Sequence, residues 1–480
     1  MINVYTKSTR LLASGKLLIR VFSSGMQALG VQVLGSLFFY LVSVYIAKNE
    51  FGIISWMNAV CVLLTTFLGW GLEQVVVRRV AASSRSDWAA AAFFLHSVAG
   101  FIISFLLLLL LKNAPGVYHY LPWFFAAQGF IYIATPLKQF LNAKEKFTPY
   151  AIIALISNLG KIAAVWLLLQ RGVISLHNVI IVLIVSAAFE FVCLFIYVIS
   201  RTGFNFSFRF KAYARLLKES APQYLSVIFD ISLSRMDWIL LGLLTTNVVL
   251  ADYSFAYRAF ELARLPMLII GPLILPRFAR LMSAGDQMTD NSGQKIGSIA
   301  HVEMFFGVMI ILGLNILWIP AVGLLTHHKY GDSNAMQFLL LSLCMPLQLF
   351  VNLLWSISFS AKRYKQVTTI TVVCAILNIM LNLLLIPGLN GLGAALAFLL
   401  TTVVQVLLYY NLVSKVVLKV TLTPLIWCVL LAVFIYWAVS YININCMVKL
   451  IIAVGAYTFI GVISRQINKQ HLLNFKQFLS

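Results

Sequence analysis

Residues 201–218, RTGFNFSFRFKAYARLLK, decide how this chain is organised. The stretch carries five basic residues and no acidic one, and it separates two long apolar segments, 178–200 and 221–244. Similar basic gaps recur along the chain in every second interval between apolar segments, whereas the other intervals hold at most one basic residue. Cytoplasmic loops of multispanning membrane proteins concentrate Lys and Arg. The pattern therefore predicts a membrane protein with both termini in the cytoplasm.

The overall composition excludes a soluble domain. Hydrophobic residues make up 61% of the 480 residues, charged residues only 10%, and the mean hydropathy is +0.95. The net charge of +21 does not indicate nucleic-acid binding, because the basic residues lie in gaps where they direct insertion and contact anionic membrane lipids. The six cysteines form no Cys-x-x-Cys pair, so neither a redox motif nor a zinc site is indicated. The sequence has no phosphate loop, nucleophile elbow or metal cluster either, and no metal or cofactor is expected.

The apolar segments predict about fourteen membrane spans, since a helix needs about 20 residues to cross a bilayer. Backbone groups in lipid must be satisfied within the protein, so the predicted fold class is an all-α polytopic helical bundle. Every outward gap is short, which leaves no external domain. The predicted spans are 21–47, 53–77, 89–111, 121–141, 150–169, 178–200, 221–244, 251–279, 300–325, 334–361, 367–386, 391–414, 423–441 and 447–467.

A weak internal repeat relates the first six spans to the next six. Residues 52–55 align with 251–254, and Asn158 in the fifth span aligns with Asn378 in the eleventh. Both repeats begin on the same side of the membrane, which predicts parallel repeats and two lobes suited to alternating access. The predicted domains are an N-lobe at 1–200, a C-lobe at 201–420 and a C-terminal helix pair at 421–480.

Three motifs resemble a known family. Residues 378–387, NIMLNLLLIP, together with 235–242, RMDWILLG, and 251–258, ADYSFAYR, resemble the polysaccharide-exporter branch of the MOP exporter superfamily. The resemblance implies a Wzx-type flippase, not an enzyme, that carries undecaprenyl-pyrophosphate-linked oligosaccharide repeat units such as O-antigen across the bacterial inner membrane. It also implies a polymerase and a chain-length regulator as pathway partners. The glycine expected three residues after the motif's proline is Asn390, which also tolerates a left-handed backbone.

Three other functions are compatible with a chain of this kind. A lipid II flippase has the same number of spans and a cationic lumen. A cation-coupled multidrug exporter shares the fold, but its cavity favours acidic and aromatic residues over Arg and Lys. A membrane glycosyltransferase or polymerase normally carries an Asp-x-Asp motif or a large outer loop, and this chain has neither.

The candidate site residues are ionisable groups at bilayer depth, which are costly there and usually face a cavity. In the eighth span, Arg258, Glu261 and Arg264 are spaced three apart, so Glu261 can reach both arginines along one helix. One interpretation is an intrahelical ion chain that neutralises itself. The other is that one or both guanidinium groups face the cavity and bind phosphate through their planar donor fork.

The remaining candidates lie in the fifth, sixth and seventh spans. Arg235 points away from Asp237 on the same helix, so it needs a partner on another helix or a ligand, whereas Asp230 and Asp237 share a face. Lys161 is too deep to reach an interface and is predicted to line the cavity. Glu190 either pairs permanently with Lys161 or responds to H+ or Na+ as a coupling group, a role also open to Asp237.

Overall fold

The computed structural model describes residues 30–83, 87–204, 206, 208–265, 290–414, 421–471 and 473–474, with residues 290–296 described by their backbone alone. Within these ranges the chain is helical and contains no strand. The helices are α1 Gly30–Tyr45, α2 Lys48–Leu68, α3 Leu72–Ala82, α4 Trp88–Leu108, α5 Leu121–Ala143, α6 Phe147–Gln170, α7 Leu176–Thr202, α8 Phe210–Leu244, α9 Asn247–Ala263, α10 Asp290–Leu317, α11 Ala335–Ser360, α12 Tyr364–Leu389, α13 Gly391–Ser414, α14 Thr423–Ser440 and α15 Cys446–Ile463.

The helices agree with the predicted spans. Each predicted interval overlaps at least one helix, although 21–29 of the first span and 266–279 of the eighth lie outside the described residues. Ten helices in the described part of the chain are long and apolar enough to cross a membrane. The chain is therefore a multi-pass membrane protein, and the count of fourteen spans stays a prediction.

The second predicted span is not one continuous helix, which corrects the sequence prediction. Helix α2 ends at Leu68, and α3 begins at Leu72 after a break in which Trp70 and Gly71 have φ values of 49° and 64°. A side chain on Gly71 would place its Cβ 2.6 Å from the backbone nitrogen of Tyr224 in α8. Glycine is required here for both the backbone conformation and the close approach of α8.

Helix α8 begins earlier than the predicted seventh span. It runs without interruption for 35 residues, from Phe210 to Leu244, whereas the predicted span starts at residue 221. At 1.5 Å per residue the helix is about 52 Å long, well beyond the roughly 30 Å of a bilayer's hydrocarbon core. The first eleven residues of α8 therefore extend the helix past the predicted span.

The chain divides into two compact units, Met1–Arg235 and Met236–Ser480. In the first unit α5 is central and packs against α2, α3, α4 and α7, around a core of apolar side chains that includes Phe93, Phe140 and Leu194. In the second unit α11 is central and packs against α9, α10 and α13, while α14 and α15 pack on α10.

The two units repeat the same order of helix packing. In the first unit α5 packs with α4 and α7, and α6 packs with α7. Their counterparts six spans later show the same pairs, because α11 packs with α10 and α13, and α12 packs with α13. A six-span repeat produces this matched order. The lobe boundaries at residues 200 and 420 remain predictions.

The backbone at the end of α12 is only partly as predicted. Asn390 follows the last residue of this helix and has a φ of 51° and a ψ of −130°. The positive φ was expected, but this ψ lies far from the left-handed helical region that asparagine tolerates. Helix α13 begins at the next residue.

Candidate functional site

An ion pair joins α5 to α7 in the interior of the first unit. The Nζ atom of Lys138 lies 2.7 Å from Oε1 of Glu190, and the two side chains are only 17% and 13% exposed. Glu190 therefore forms its salt bridge with Lys138 and not with Lys161, the partner that one of the two interpretations of its role gave it. Sequence reasoning grouped Lys138 with the basic residues of a cytoplasmic gap, although its position inside the predicted span 121–141 was a signal that it lies deeper.

Lys161, in α6, contacts a residue of its own helix and an aromatic ring of α1. Its ammonium group donates a hydrogen bond of 2.9 Å to Oδ1 of Asn158 and lies 4.8 Å from the ring centre of Phe38 in α1. Within the described ranges it forms no salt bridge. The amide dipole and the ring face stabilise this cation only in part, since an ammonium group has three donors.

In α9, the three predicted site residues divide into a pair and a single cation. Arg258 donates a hydrogen bond of 2.8 Å to Oε2 of Glu261, three residues later, and its guanidinium group lies 5.5 Å from the Trp238 ring. Arg264 lies over the ring of Phe260 at 5.4 Å and has no salt-bridge partner in the part of the chain that is described. Glu261 is thus paired with Arg258, and Arg264 stands apart from that pair.

The two acidic candidates in α8 lie in unlike surroundings. Asp237 is fully buried; its Oδ2 accepts a hydrogen bond from the Tyr253 hydroxyl and its Oδ1 one of 2.9 Å from the Trp238 backbone N–H. Asp230 is exposed, so the two carboxylates do not share one environment, although their spacing of seven residues places them on one face of the helix. Arg235 is half-buried on the same helix.

Sequence analysis did not select a buried polar cluster in the second unit. The Asn382 amide nitrogen donates to the backbone and side-chain oxygens of Asn378, both at 2.9 Å, and Asn378 donates to the Thr401 hydroxyl at 3.4 Å. These residues join α12 to α13, and all three are buried. The signal was present, because both asparagines belong to the family motif at 378–387.

The described side chains include no group of three or more His, Cys, Asp or Glu that could hold a metal ion. All six cysteines are free thiols. The site chemistry available in the described residues therefore consists of ion pairs, cation–π contacts and hydrogen bonds.

The chain matches a known protein family. The family model described as polysaccharide biosynthesis protein matches residues 17–282, which is more than half of the chain. The chain belongs to this family. No curated protein sequence matches it.

Several solved structures have the same fold as this chain. The lipid II flippase MurJ in an inward closed conformation is 15% identical, with a TM-score of 0.72 over 92% of this chain and 98% of that one. An inward-facing multidrug resistance MATE family transporter of the MOP superfamily is 13% identical, with a TM-score of 0.65 over 83% and 98%. A MOP superfamily transporter from Pyrococcus furiosus, whose binding pocket has reverse polarity, is 13% identical with a TM-score of 0.58 over 83% and 96%.

The family match confirms the predicted link to polysaccharide biosynthesis, and the similar structures show that this chain has the fold of a lipid flippase and of MOP superfamily transporters. By their own descriptions, the similar structures are a flippase and transporters. At identities this low, the similar structures show a shared fold and leave the substrate of this chain open.

Proposed function

We propose that this protein is a flippase for undecaprenyl-pyrophosphate-linked oligosaccharide repeat units, such as those of O-antigen, in the bacterial cytoplasmic membrane. The lobes at 1–200 and 201–420 alternate access to a cavity, with both termini in the cytoplasm and the helix pair at 421–480 outside the repeat. The glycan travels in the wet cavity while the isoprenoid chain stays in lipid. Membership of the polysaccharide biosynthesis family and the MurJ-like fold support this proposal.

The proposal of a pyrophosphate-linked substrate rests on one observation, which is that some of the candidate cations have a carboxylate partner and others do not. Lys138 and Arg258 each have a carboxylate partner, whereas Lys161 and Arg264 have none among the described residues. An unpaired cation at bilayer depth is costly, so it persists where a ligand or a wet cavity stabilises it. A pyrophosphate group supplies the missing negative charge, and a guanidinium group can hold it through two parallel hydrogen bonds.

The other candidates take supporting roles in this proposal. Glu190 and Glu261 balance charge, because each already forms a salt bridge. Asp237 is buried and accepts a hydrogen bond from a tyrosine hydroxyl, and it and the exposed Asp230 are the candidates for coupling to H+ or Na+. Arg235 remains a candidate for binding the phosphate groups. Expected partners in the pathway are a polymerase and a chain-length regulator.

The test is glycan export in a deletion strain that is complemented with variants. Lys161→Met and Arg264→Gln should abolish display of the surface polysaccharide while lipid-linked repeat units accumulate on the cytoplasmic side. Arg264→Lys should restore export only in part, because a point charge replaces a bidentate fork. The control is Arg171→Gln, which removes an exposed cation at the end of the same helix as Lys161. Membrane abundance of each variant is measured in parallel.

Normal export from both Lys161→Met and Arg264→Gln would contradict the cationic role and favour purely structural charges. The phenotype of the deletion itself separates the substrates. Loss of a surface polysaccharide with normal peptidoglycan supports the proposal.

Lipid II is the second candidate substrate, because the MurJ fold covers 92% of this chain and lipid II carries the same pyrophosphate chemistry. Accumulation of peptidoglycan precursors and lysis in the deletion strain would identify a lipid II flippase. Increased sensitivity to cationic drugs with intact surface glycans would identify a multidrug exporter.

A further inference from the structure

One side of α5 carries uncharged polar side chains along most of its length. They follow one another at spacings of seven, four and three residues, which places them within an arc of about 60° on the helix. All of them are partly exposed. We call this set the polar face of α5, and it consists of Gln128, Thr135, Gln139 and Asn142.

The other side of α5 fixes the rotation of the helix. Leu137, Phe140 and Leu141 are buried in the apolar core of the first unit. Their positions along the helix place them opposite the polar face. Packing of the core therefore turns the polar face away from the interior of the first unit.

A chain of side-chain hydrogen bonds joins the polar face to the start of α3. The amide nitrogen of Asn142 donates to Oε1 of Gln139 at 3.2 Å, and the amide nitrogen of Gln139 donates to Oε2 of Glu73 at 2.9 Å. Glu73 is exposed and lies at the second residue of α3, directly after the helix break. The chain leaves Oε1 of Glu73 and Oδ1 of Asn142 at its two ends as acceptors for a ligand.

The rest of the polar face also has hydrogen-bonding capacity to spare. Gln128 makes no hydrogen bond with any residue that the structure describes, so its amide can both donate and accept. The Thr135 hydroxyl donates to the carbonyl of Ile131 at 3.0 Å, which leaves its lone pairs as acceptors.

Lipid cannot satisfy these groups. Exposed amides and a carboxylate at bilayer depth are costly in hydrocarbon, where nothing forms hydrogen bonds with them. The polarity of α5 is large enough that this helix of 23 residues is not among the ten that are apolar enough to cross a membrane. The polar face is therefore expected to line a water-filled space.

The chemistry of the polar face differs from that of a phosphate or drug site. None of its four residues is charged, so it offers nothing to neutralise a pyrophosphate group. Amide and hydroxyl groups both donate and accept hydrogen bonds, as sugar hydroxyls do. From Gln128 to Asn142 the face extends about 21 Å along the helix, which suits an elongated chain of sugar rings better than a compact ion.

We propose that the polar face of α5, together with Glu73, is a subsite for the sugar hydroxyls of a lipid-linked glycan. This inference rests on the proposed function, because it assigns the glycan part of that substrate to named side chains. The cations Lys161 and Arg264 then serve the pyrophosphate part. Glu73 holds the Gln139 amide in place and accepts a charge-assisted hydrogen bond from a sugar hydroxyl.

The test compares two probes on the full-length protein purified in a neutral detergent, with bound probe counted by native mass spectrometry. One probe is undecaprenyl pyrophosphate, and the other is the lipid-linked repeat unit extracted from the deletion strain. The variant Gln128→Leu/Asn142→Leu should lose on the order of 30-fold in affinity for the repeat unit, because several hydrogen bonds are removed. Glu73→Gln, which nearly keeps the side chain's shape, should lose about 10-fold. Both variants should bind undecaprenyl pyrophosphate within about twofold of the wild type.

The matched control is Asn113→Leu/Gln170→Leu, which removes one Asn and one Gln from exposed positions outside the polar face. This control should bind both probes as the wild type does. Wild-type affinity for the repeat unit in both polar-face variants would overturn the subsite and leave the proposed function intact. Equal losses for the two probes would also overturn the subsite, because the damage would then not concern the glycan. A deletion strain that accumulates no lipid-linked repeat unit, or a wild type that binds neither probe, would overturn the proposed function and the subsite with it.

Discussion

Replacing both partners of the Lys138–Glu190 ion pair should destabilise the protein no more than replacing one of them. The two groups lie 2.7 Å apart on α5 and α7, and both side chains are largely withdrawn from solvent. Either Glu190→Gln or Lys138→Met therefore leaves an uncompensated charge in the interior of the first unit. The variant Lys138→Met/Glu190→Gln leaves none.

The size of the effect follows from the distance. Coulomb attraction across 2.7 Å at an effective dielectric constant near 20 is on the order of 6 kcal/mol, of which desolvation of the two groups offsets a large part. Each single substitution should therefore cost about 3 kcal/mol. The double substitution should cost about as much as one single change, which gives a coupling energy of about 3 kcal/mol.

The assay is a double-mutant cycle on the purified protein, with the free energy of unfolding measured by titration with SDS. The structure offers a matched control in Lys161, which also lies on a helix beside α7 but hydrogen-bonds to Asn158 and not to Glu190. The cycle of Lys161→Met with Glu190→Gln should give a coupling energy below about 1 kcal/mol.

Two results would refute this reasoning. Additive costs in the Lys138 and Glu190 cycle would show that the pair contributes no direct attraction. A larger coupling of Glu190 with Lys161 than with Lys138 would restore the pairing that the sequence suggested.

Three further predictions concern the topology, the helix break at Gly71 and the ion pairs of Glu219. A reporter that is active only in the periplasm should be inactive when fused after Arg215 and active when fused after Lys329, and the reverse pattern would contradict the proposed orientation. Gly71→Ala should lower the unfolding free energy by at least about 1–2 kcal/mol, since φ is 64° and the new methyl group meets the backbone of Tyr224; wild-type stability would contradict the close approach. The pKa of Glu219, which precedes the predicted seventh span, is lowered by its hydrogen bond to an arginine of α3, so its contribution is present above the ordinary carboxyl range and is lost as pH falls through the lowered value. Glu219→Gln should therefore cost about 1 kcal/mol at pH 7 and nothing under strongly acidic conditions, and an equal cost at both pH values would refute the ionic contact.

Much of the site's local chemistry could be predicted from spacing alone. Arg258 and Glu261 are three residues apart on one helix, and the structure shows the salt bridge that this spacing permits. The motifs at 235–242 and 251–258 indicated a polysaccharide-related family, and both lie within residues 17–282, which the family model matches. Such features depend on neighbours along the chain, so a helical register is enough to predict them.

Two features of the fold were missed because they depend on contacts distant in sequence. The apolar run of the second span continues through residues 69–71, yet the helix breaks there, where α8 approaches Gly71. The basic stretch before the seventh span was predicted as a gap, but its residues 210–218 are the start of α8. These turns are stabilised by Trp70, in the break between α2 and α3, and by His96 of α4.

The sequence by itself determined that this is a multi-pass helical membrane protein of the polysaccharide biosynthesis family, because hydropathy and family motifs are written along the chain. Only the tertiary structure decided which charges meet. The sequence placed Lys161 and Glu190 on adjacent spans at similar depth, and α6 does pack against α7. The rotation of α6 nevertheless directs Lys161 toward Phe38 of α1, while α5 brings Lys138 to Glu190. Helix rotation and depth are set by packing among all neighbouring helices, and no spacing along one helix encodes them.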